Sequence, residues 1–417
     1  MIKKNMLGLV LVMLTINLAF SQKILLDETL IYEKQSMGMS GTPLLNTPEL
    51  IEYLEKYGNS TDEIKMTKSV ADAIGDVQTF FVYNFSSDDF DNVEFKLLSK
   101  GNYSQVWCAS GELANNHIDQ SIADSFLVYL ETKTGPESVD PTKGVIAIDR
   151  EYYGDPPNKD GDGLTDVFIC DIKDSWTPED GGVYMAGFFY RVDQYVDLGT
   201  EGSYRSNERD VIYIDSYPNI YTETKVDIMS GILTTAHEFQ HLIHYNYDPL
   251  EYTLINEGLS ENAEYITGMY TRSAHTYLSN VNIPIFHWDG EGDVIPDYAR
   301  ASLFYNYIGD RFGVENYKHH VQNYKHGSEG IDTALVRSGF SSVSFVDLIH
   351  DFHIANMINN KFVNEKYGYL NPAREGLWIP EHAAHRVLIS GDDTSQISLY
   401  EGGGAYLSFD YISSQNA

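Results

Sequence analysis

Two different spacings of apolar residues divide the chain. In its first half they come in short runs rich in Val, Phe and Tyr: Thr79–Phe85, Val93–Leu98, Gln105–Ala109, Val145–Asp149, Asp166–Ile172, Val183–Tyr190 and Asp210–Asp215. Runs of roughly four to eight such residues, bounded by Asp, Asn and Gly, read as β-strands. Within Ile118–Glu131, by contrast, Ile118, Ile122, Phe126 and Tyr129 fall on one helical stripe. From Asp227 onward helical spacing dominates, over 227–246, 257–270, 297–312 and 344–358, before Ala405–Ile412 returns to a strand pattern. Upstream, Thr47–Tyr57 reads as a helix with Thr47 as its cap, Pro48 in its first turn and Leu50, Ile51 and Leu54 as its apolar stripe. No internal repeat or low-complexity linker interrupts this order. Strands first and helices later predict an α+β fold, β-rich over 76–220, helical over 225–390, with a terminal strand inside 400–412.

The first residues have a different pattern. Lys3 and Lys4 precede an apolar run, Leu7–Phe20, broken only by Gly8, Thr15 and Asn17, and Ala19 and Ser21 are small residues at the −3 and −1 positions of a cut before Gln22. Residues 1–21 are therefore read as a cleaved signal peptide, since the run is short for a membrane span. Export to a secreted or extracytoplasmic location follows, with no membrane association after cleavage. Residues 22–75 are an N-terminal extension or a pro-region, and 76–417 the main domain. Two cysteines, Cys108 and Cys170, each lie in a strand-like run. In an exported chain they can form one disulfide or remain two buried thiols.

Composition narrows the partners. With 28 Lys and Arg against 61 Asp and Glu, the formal charge is −33, which argues against nucleic acid and anionic lipid. The same acidity fits either a well-solvated surface or calcium binding. At 42% hydrophobic and 13% aromatic, the chain has ample material for a large core and does not read as a disordered acidic tail.

The densest chemistry is His237-Glu238-Phe239-Gln240-His241, inside the Pro-free helical stretch Ile228–Tyr245. Residues four apart stack on one helical face, so the two imidazoles can converge on one Zn²⁺. Glu238, next to the first, can reach the attacking water as general base. A catalytic zinc needs a third protein ligand, and Asn256-Glu257-Gly258-Leu259-Ser260-Glu261 follows. Asn256 reads as a helix cap and Glu257 as the ligand. Glu261, one turn on, is placed behind the metal, bonded to a ligating imidazole, although exchanged roles for the two carboxylates are also geometrically allowed. His244, seven residues from His237, lies about 10.5 Å along the axis, too far to join the same ion.

HEFQHLIH followed by NEGLSE resembles the hyicolysin-type neutral zinc metallopeptidases, and more broadly the gluzincins. Among the latter, thermolysin relatives carry NExxS[DE] and the aminopeptidase branch carries NEG[FL]. The resemblance extends upstream to Ser206–Asp215 (SNERDVIYID) and downstream to Tyr298–Phe304 and Arg311-Phe312-Gly313. It covers about 77–360, and is strongest over 206–270. It implies a zincin-like fold, in which an N-terminal mixed β-sheet subdomain precedes an active-site helix and a mainly helical C-terminal subdomain. It also implies zinc ligands His237, His241 and Glu257, the base Glu238, and protein or peptide substrates. The gap between His241 and Glu257 is shorter than in thermolysin relatives, which argues against thermolysin itself and bears on which carboxylate ligates.

Three further expectations follow from the motif. The charge developing on the cleaved carbonyl needs a second donor beside the metal, for which Tyr298 is the candidate and His382 and His385 weaker ones. Gly182–Phe189 is the candidate edge strand for aligning a substrate by main-chain bonding. Asn158, Asp160, Asp162 and Asp166, oxygen-bearing and interrupted by Gly161 and Gly163, make an abbreviated Ca²⁺ loop, or a plain Asp/Gly turn. The resulting expectation is an exported zinc endopeptidase. The alternatives are an aminopeptidase, for which no GxMEN-like amine anchor is visible, and an inactive binding or adhesion protein on a peptidase scaffold.

Overall fold

The computed structural model describes residues 37–57, 72–179, 181–199, 204–268, 272–289, 293–370, 377, 384–389 and 398–411. The signal read in 1–21, His382 and the side chain of His385 lie outside the described residues. The chain is a mixed α+β fold with a sheet built from its first half and helices from its second. In order, its elements are β1 (Met37–Ser40), α1 (Thr42–Leu45), α2 (Pro48–Tyr57), β2 (Val77–Asn84), β3 (Asp89–Lys100), β4 (Ser104–Ala109), α3 (Ser110–Ala114), α4 (Gln120–Glu131), α5 (Val145–Tyr152), β5 (Thr165–Cys170), β6 (Val183–Phe189) and β7 (Val211–Asp215). The second half contributes α6 (Ile228–Tyr247), α7 (Thr253–Gly268), α8 (His275–Leu278), α9 (Ile295–Phe312), α10 (Tyr317–Val321), α11 (Gly327–Arg337), α12 (Phe345–Ile358) and the strands β8 (Ala384–Ile389) and β9 (Tyr406–Tyr411).

Seven strands form one sheet in the order β1-β6-β7-β5-β4-β3-β2. Strands β4, β5 and β7 run parallel, while β6 runs antiparallel to β7. Side chains alternate across this sheet as the pleat requires. Val106, Val167, Ile169, Ile212 and Ile214 face the helices, in a core that includes Phe239 and Leu242 of α6. Trp107, Phe168, Tyr213 and Phe188 face the other way, into an aromatic cluster closed by Leu45 and Leu50. Of the stretch 22–75, residues 37–57 pack onto this sheet, with Thr47 Oγ1 accepting from Leu50 N to cap α2.

Most of the expected elements are present within a few residues, with two corrections. Val145–Asp149 is helical, not a strand: α5 buries Val145, Ile146, Ile148 and Asp149 between α4 and α6. A short apolar run carries no period that separates a buried strand from a buried helix. β8 falls inside the stretch read as helical and pairs in parallel with β9. The two cysteines remain free thiols. The parallel register sets Cys108 opposite Ile169, so Cys170, one residue further, faces the opposite core.

The segment Ser206–Asp215 turns out to be structural. Arg209, 8% exposed, holds two buried carboxylates, Asp72 at 2.9 Å and Asp166 at 2.8 Å. Its guanidinium lies over the Phe80 ring at 4.8 Å. Asn207 ties the main chain of Phe81 to the Tyr213 hydroxyl. This network joins β2, β5 and β7 behind the strands that support α6.

Candidate metal centre

Helix α6 starts with the Asp227 carboxylate accepting from Ser230 N. Its central turns, from Thr234 to His244, are buried against the sheet. The turn over 248–252 reverses the chain, and α7 returns alongside α6. Close packing of the next layer depends on Gly258: a Cβ there would stand 2.4 Å from the Tyr305 ring and 3.0 Å from the carbonyl oxygen of Ala301, both on α9. The glycine of NEGLSE therefore allows α9 to press against α7 and fixes the depth at which α7 presents its carboxylates.

The two imidazoles converge as their spacing predicts, with ring centroids 4.9 Å apart. Glu257 faces both: its Oε2 is 3.2 Å from His237 Nε2 and its Oε1 3.2 Å from His241 Nε2. Ligand atoms of His237, His241 and Glu257 lie within 4.8 Å of one another, and all three residues are buried. The far side of each ring is occupied. His237 Nδ1 donates to Glu264 Oε1 at 3.0 Å, and His241 Nδ1 to Asn256 Oδ1 at 3.0 Å. Bonding at each Nδ1 holds the two rings with Nε2 turned toward the Glu257 carboxylate.

Such a pocket is poorly satisfied by the protein's own groups. His241 Nε2 is out of line for a hydrogen bond to Glu257 and has no other partner, and Glu238 Oε1 has none either. Burial alone would lower the His237 pKa, but its bonds to Glu257 and Glu264 and the charge of Glu238 outweigh that and hold it well above the usual range. Burial alone would raise the Glu257 carboxyl, but the charge of His241 first, and then the bond from His237, bring it down to about 2. The site thus favours a positive charge among its carboxylates. Two imidazole nitrogens and one carboxylate are the donor set of a catalytic zinc with an open position, so the residues fit that ion.

Glu238, the next residue to His237, points past the ligand set. Burial pushes its pKa up, with the two imidazoles pulling the other way. Tyr298, in the first turn of α9, enters the same space. Its hydroxyl donates to the Ser40 carbonyl oxygen at 3.0 Å. The Arg272 guanidinium lies over its ring at 4.9 Å. Burial first, and the nearby Glu257 charge next, keep this hydroxyl protonated, as a donor. His244 is fully buried and lowered to about 3 by burial and then by His241, so it stays neutral and off the ligand set.

Several expected roles move. The carboxylate on His237 is Glu264, not Glu261. Glu261 is bonded to Arg272 at 2.8 Å, which arrives from the segment after α7. The His237 imidazole turns its Nδ1 toward Glu264, seven residues on from Glu257 and two helical turns away, and no local pattern in the motif marks that position. Asn256 is not a cap, since α7 starts at Thr253, and it orients His241 instead. Ser260 also approaches His241 Nδ1, at 3.1 Å, and donates to Gln240 Oε1.

The four residues of the acidic loop do not form one ligand group. Asp166 is engaged by Arg209, Gln105 and Trp107. Asn158 Oδ1 accepts from Gly163 N, Asp160 Oδ1 from Asp162 N and Asp162 Oδ1 from Leu164 N, the bonding of an Asx-type turn.

Replacing Glu264 by Ala removes the acceptor that sets the His237 tautomer. Zinc affinity is expected to fall by about 10- to 100-fold, as read by competition with a chromogenic chelator. Unchanged affinity would show that Glu264 has no part in holding the metal.

The chain is similar to the neutral metalloprotease ShpI of Staphylococcus hyicus, with 25% identity over 298 residues. The match covers 68% of this chain and spans 63% of that protein's length. No family model matches the chain. That protein is named as a metalloprotease, which agrees with a His/Glu group able to hold a metal at the centre of this fold.

Proposed function

We propose that the chain is an exported zinc-dependent endopeptidase with a zincin-like active site. The observation that carries this reading is the convergence of His237, His241 and Glu257 on one buried point, with the carboxylate of Glu238 beside it. Zinc bound there would polarise the scissile carbonyl and lower the pKa of the attacking water. Glu238 takes the proton of that water and delivers it to the leaving amine, a transfer for which its burial-raised pKa suits it. Tyr298, a protonated donor, supports the oxygen of the carbonyl under attack. Glu264 and Asn256 hold the two imidazoles in one tautomer. The strand expected to be the substrate-aligning edge, β6, is not the edge of the sheet in the intact chain, because β1 pairs along it; with β1 displaced, its main-chain groups would be open to an extended peptide.

Endopeptidase is preferred to aminopeptidase because no GxMEN-like amine anchor is visible in the sequence. Extended backbone of this chain, Met37–Ser40, reaches the Glu238 carboxylate before Gly41 turns into α1, so an extended peptide main chain fits beside the base.

The test combines metal content with product analysis. The zinc-loaded chain should carry one zinc per molecule, lost in the His237→Ala and His241→Ala variants. After activation by limited proteolysis, it should cut casein internally. Removing zinc with 1,10-phenanthroline should abolish the cleavage, and adding Zn²⁺ back should restore it. Hydrolysis that survives chelation would sink the zinc mechanism, and stepwise loss of amino-terminal residues would favour an aminopeptidase.

A further inference from the structure

The outermost strand of the sheet does not come from the β-rich region that builds the rest. β1 lies against the edge of β6 that faces away from β7 and runs parallel to it, pairing Gly38 with Tyr184, Met39 with Met185 and Ser40 with Gly187. Gly41 N continues the contact to the Gly187 carbonyl at 2.8 Å before the chain turns into α1. It thereby covers the main-chain groups that a substrate would use.

The same few residues engage the groups assigned to the reaction. The hydroxyls of Ser40 and Thr42 donate to Glu238 Oε2, at 3.2 and 3.0 Å. The Ser40 carbonyl accepts from the Tyr298 hydroxyl at 3.0 Å, and the Gly38 carbonyl from Arg272 at 3.2 Å. A carbonyl held by Tyr298 beside Glu238 stands where a substrate carbonyl is expected. The two hydroxyls occupy Oε2, one of the two oxygens with which the base would hold an attacking water. The segment thus fills the groove.

We propose that residues 37–45 are an autoinhibitory segment, seated in the substrate groove and released when the chain is cut before Asp72. The inference rests on the peptidase reading above. Asp72 is bonded to Arg209 and Gln78 and belongs to the body of the domain, so the boundary of the active form lies between Asn46 and Asp72. Parallel pairing over four residues is among the weaker forms of strand addition, which suits a segment that has to leave.

The test uses the intact chain. In Gly38→Val, even the first side-chain carbon would stand 2.8 Å from Ala186 Cβ and 3.1 Å from the Tyr184 ring, so β1 cannot seat on β6, while His237, Glu238, His241, Glu257 and Tyr298 are untouched. Intact Gly38→Val should hydrolyse casein roughly tenfold faster or more than the intact wild-type chain, because the competent fraction rises. A synthetic peptide of residues 37–46 should inhibit the activated enzyme by raising KM at constant kcat. Mass spectrometry of the active wild-type species, which does not depend on the variant folding, should place its N-terminus between Asn46 and Asp72. Full activity in a species that still begins before Met37, or an intact wild-type chain as fast as the variant, would overturn this inference and leave the peptidase reading standing. A zinc-loaded chain inactive in every form would overturn the peptidase reading, and this inference with it.

Discussion

Glu238→Gln is expected to lower kcat/KM for casein by about 10²- to 10⁴-fold, with the zinc content and melting temperature of the protein little changed. The amide keeps the size of the carboxylate, and one oxygen remains to accept from Ser40 and Thr42. What it loses is the ability to take a proton from water and return it to the amine. The three ligand residues are untouched, so metal analysis should still find one zinc per chain. That combination separates a base from a ligand: a variant that lost zinc together with activity would show that Glu238 supports the metal, and full activity with zinc present would remove it from the mechanism. The distinction matters because Glu238 is adjacent to His237 and fully buried, so loss of activity alone would not assign its role.

The largest effect on stability is expected away from the metal. Arg209→Met would leave Asp72 and Asp166 buried without their cation. Removing one partner of such a pair typically costs about 3–5 kcal/mol, much of it the burden of unpaired buried charge. Melting temperature and urea midpoint should both fall clearly. Adding Asp166→Asn should recover part of the loss, because the amide removes one of the orphaned charges while staying within reach of Gln105 and Trp107. A single variant as stable as wild type would mean that water or another cation reaches the two carboxylates. Arg209 touches no metal ligand. Its importance would lie in joining Asp72, near the start of β2, to the strands beneath α6.

Local pattern made much of the protein legible. Short β-rich runs predicted six strands of the main sheet, and four-residue spacing put His237 and His241 on one face of a helix. Glu257 was identified because a turn and a second helix follow at a usable distance. Failures occurred where local pattern is ambiguous or where the partner is remote. Val145–Asp149 has no period to read, and only burial among α4, α6 and the sheet makes it a helix. Asp166 belongs to an acidic turn by sequence, but Arg209, 43 residues away, engages it instead. Glu261, inside the motif, was expected on an imidazole and Glu264 was unmarked, but Arg272 takes the first and His237 the second.

The sequence by itself determined the chemistry available, two imidazoles and a neighbouring carboxylate on one helix with a further glutamate after a short turn, because those relations span only a few residues and follow from helical geometry. Tertiary structure alone decided which groups stand behind the imidazoles, that Tyr298 enters the site, and that Ser40 and Thr42 close over Glu238. Those contacts join residues from 15 to 258 positions apart. No local spacing encodes them, and they come into being only when the sheet edge, α6, α7 and α9 pack around one point.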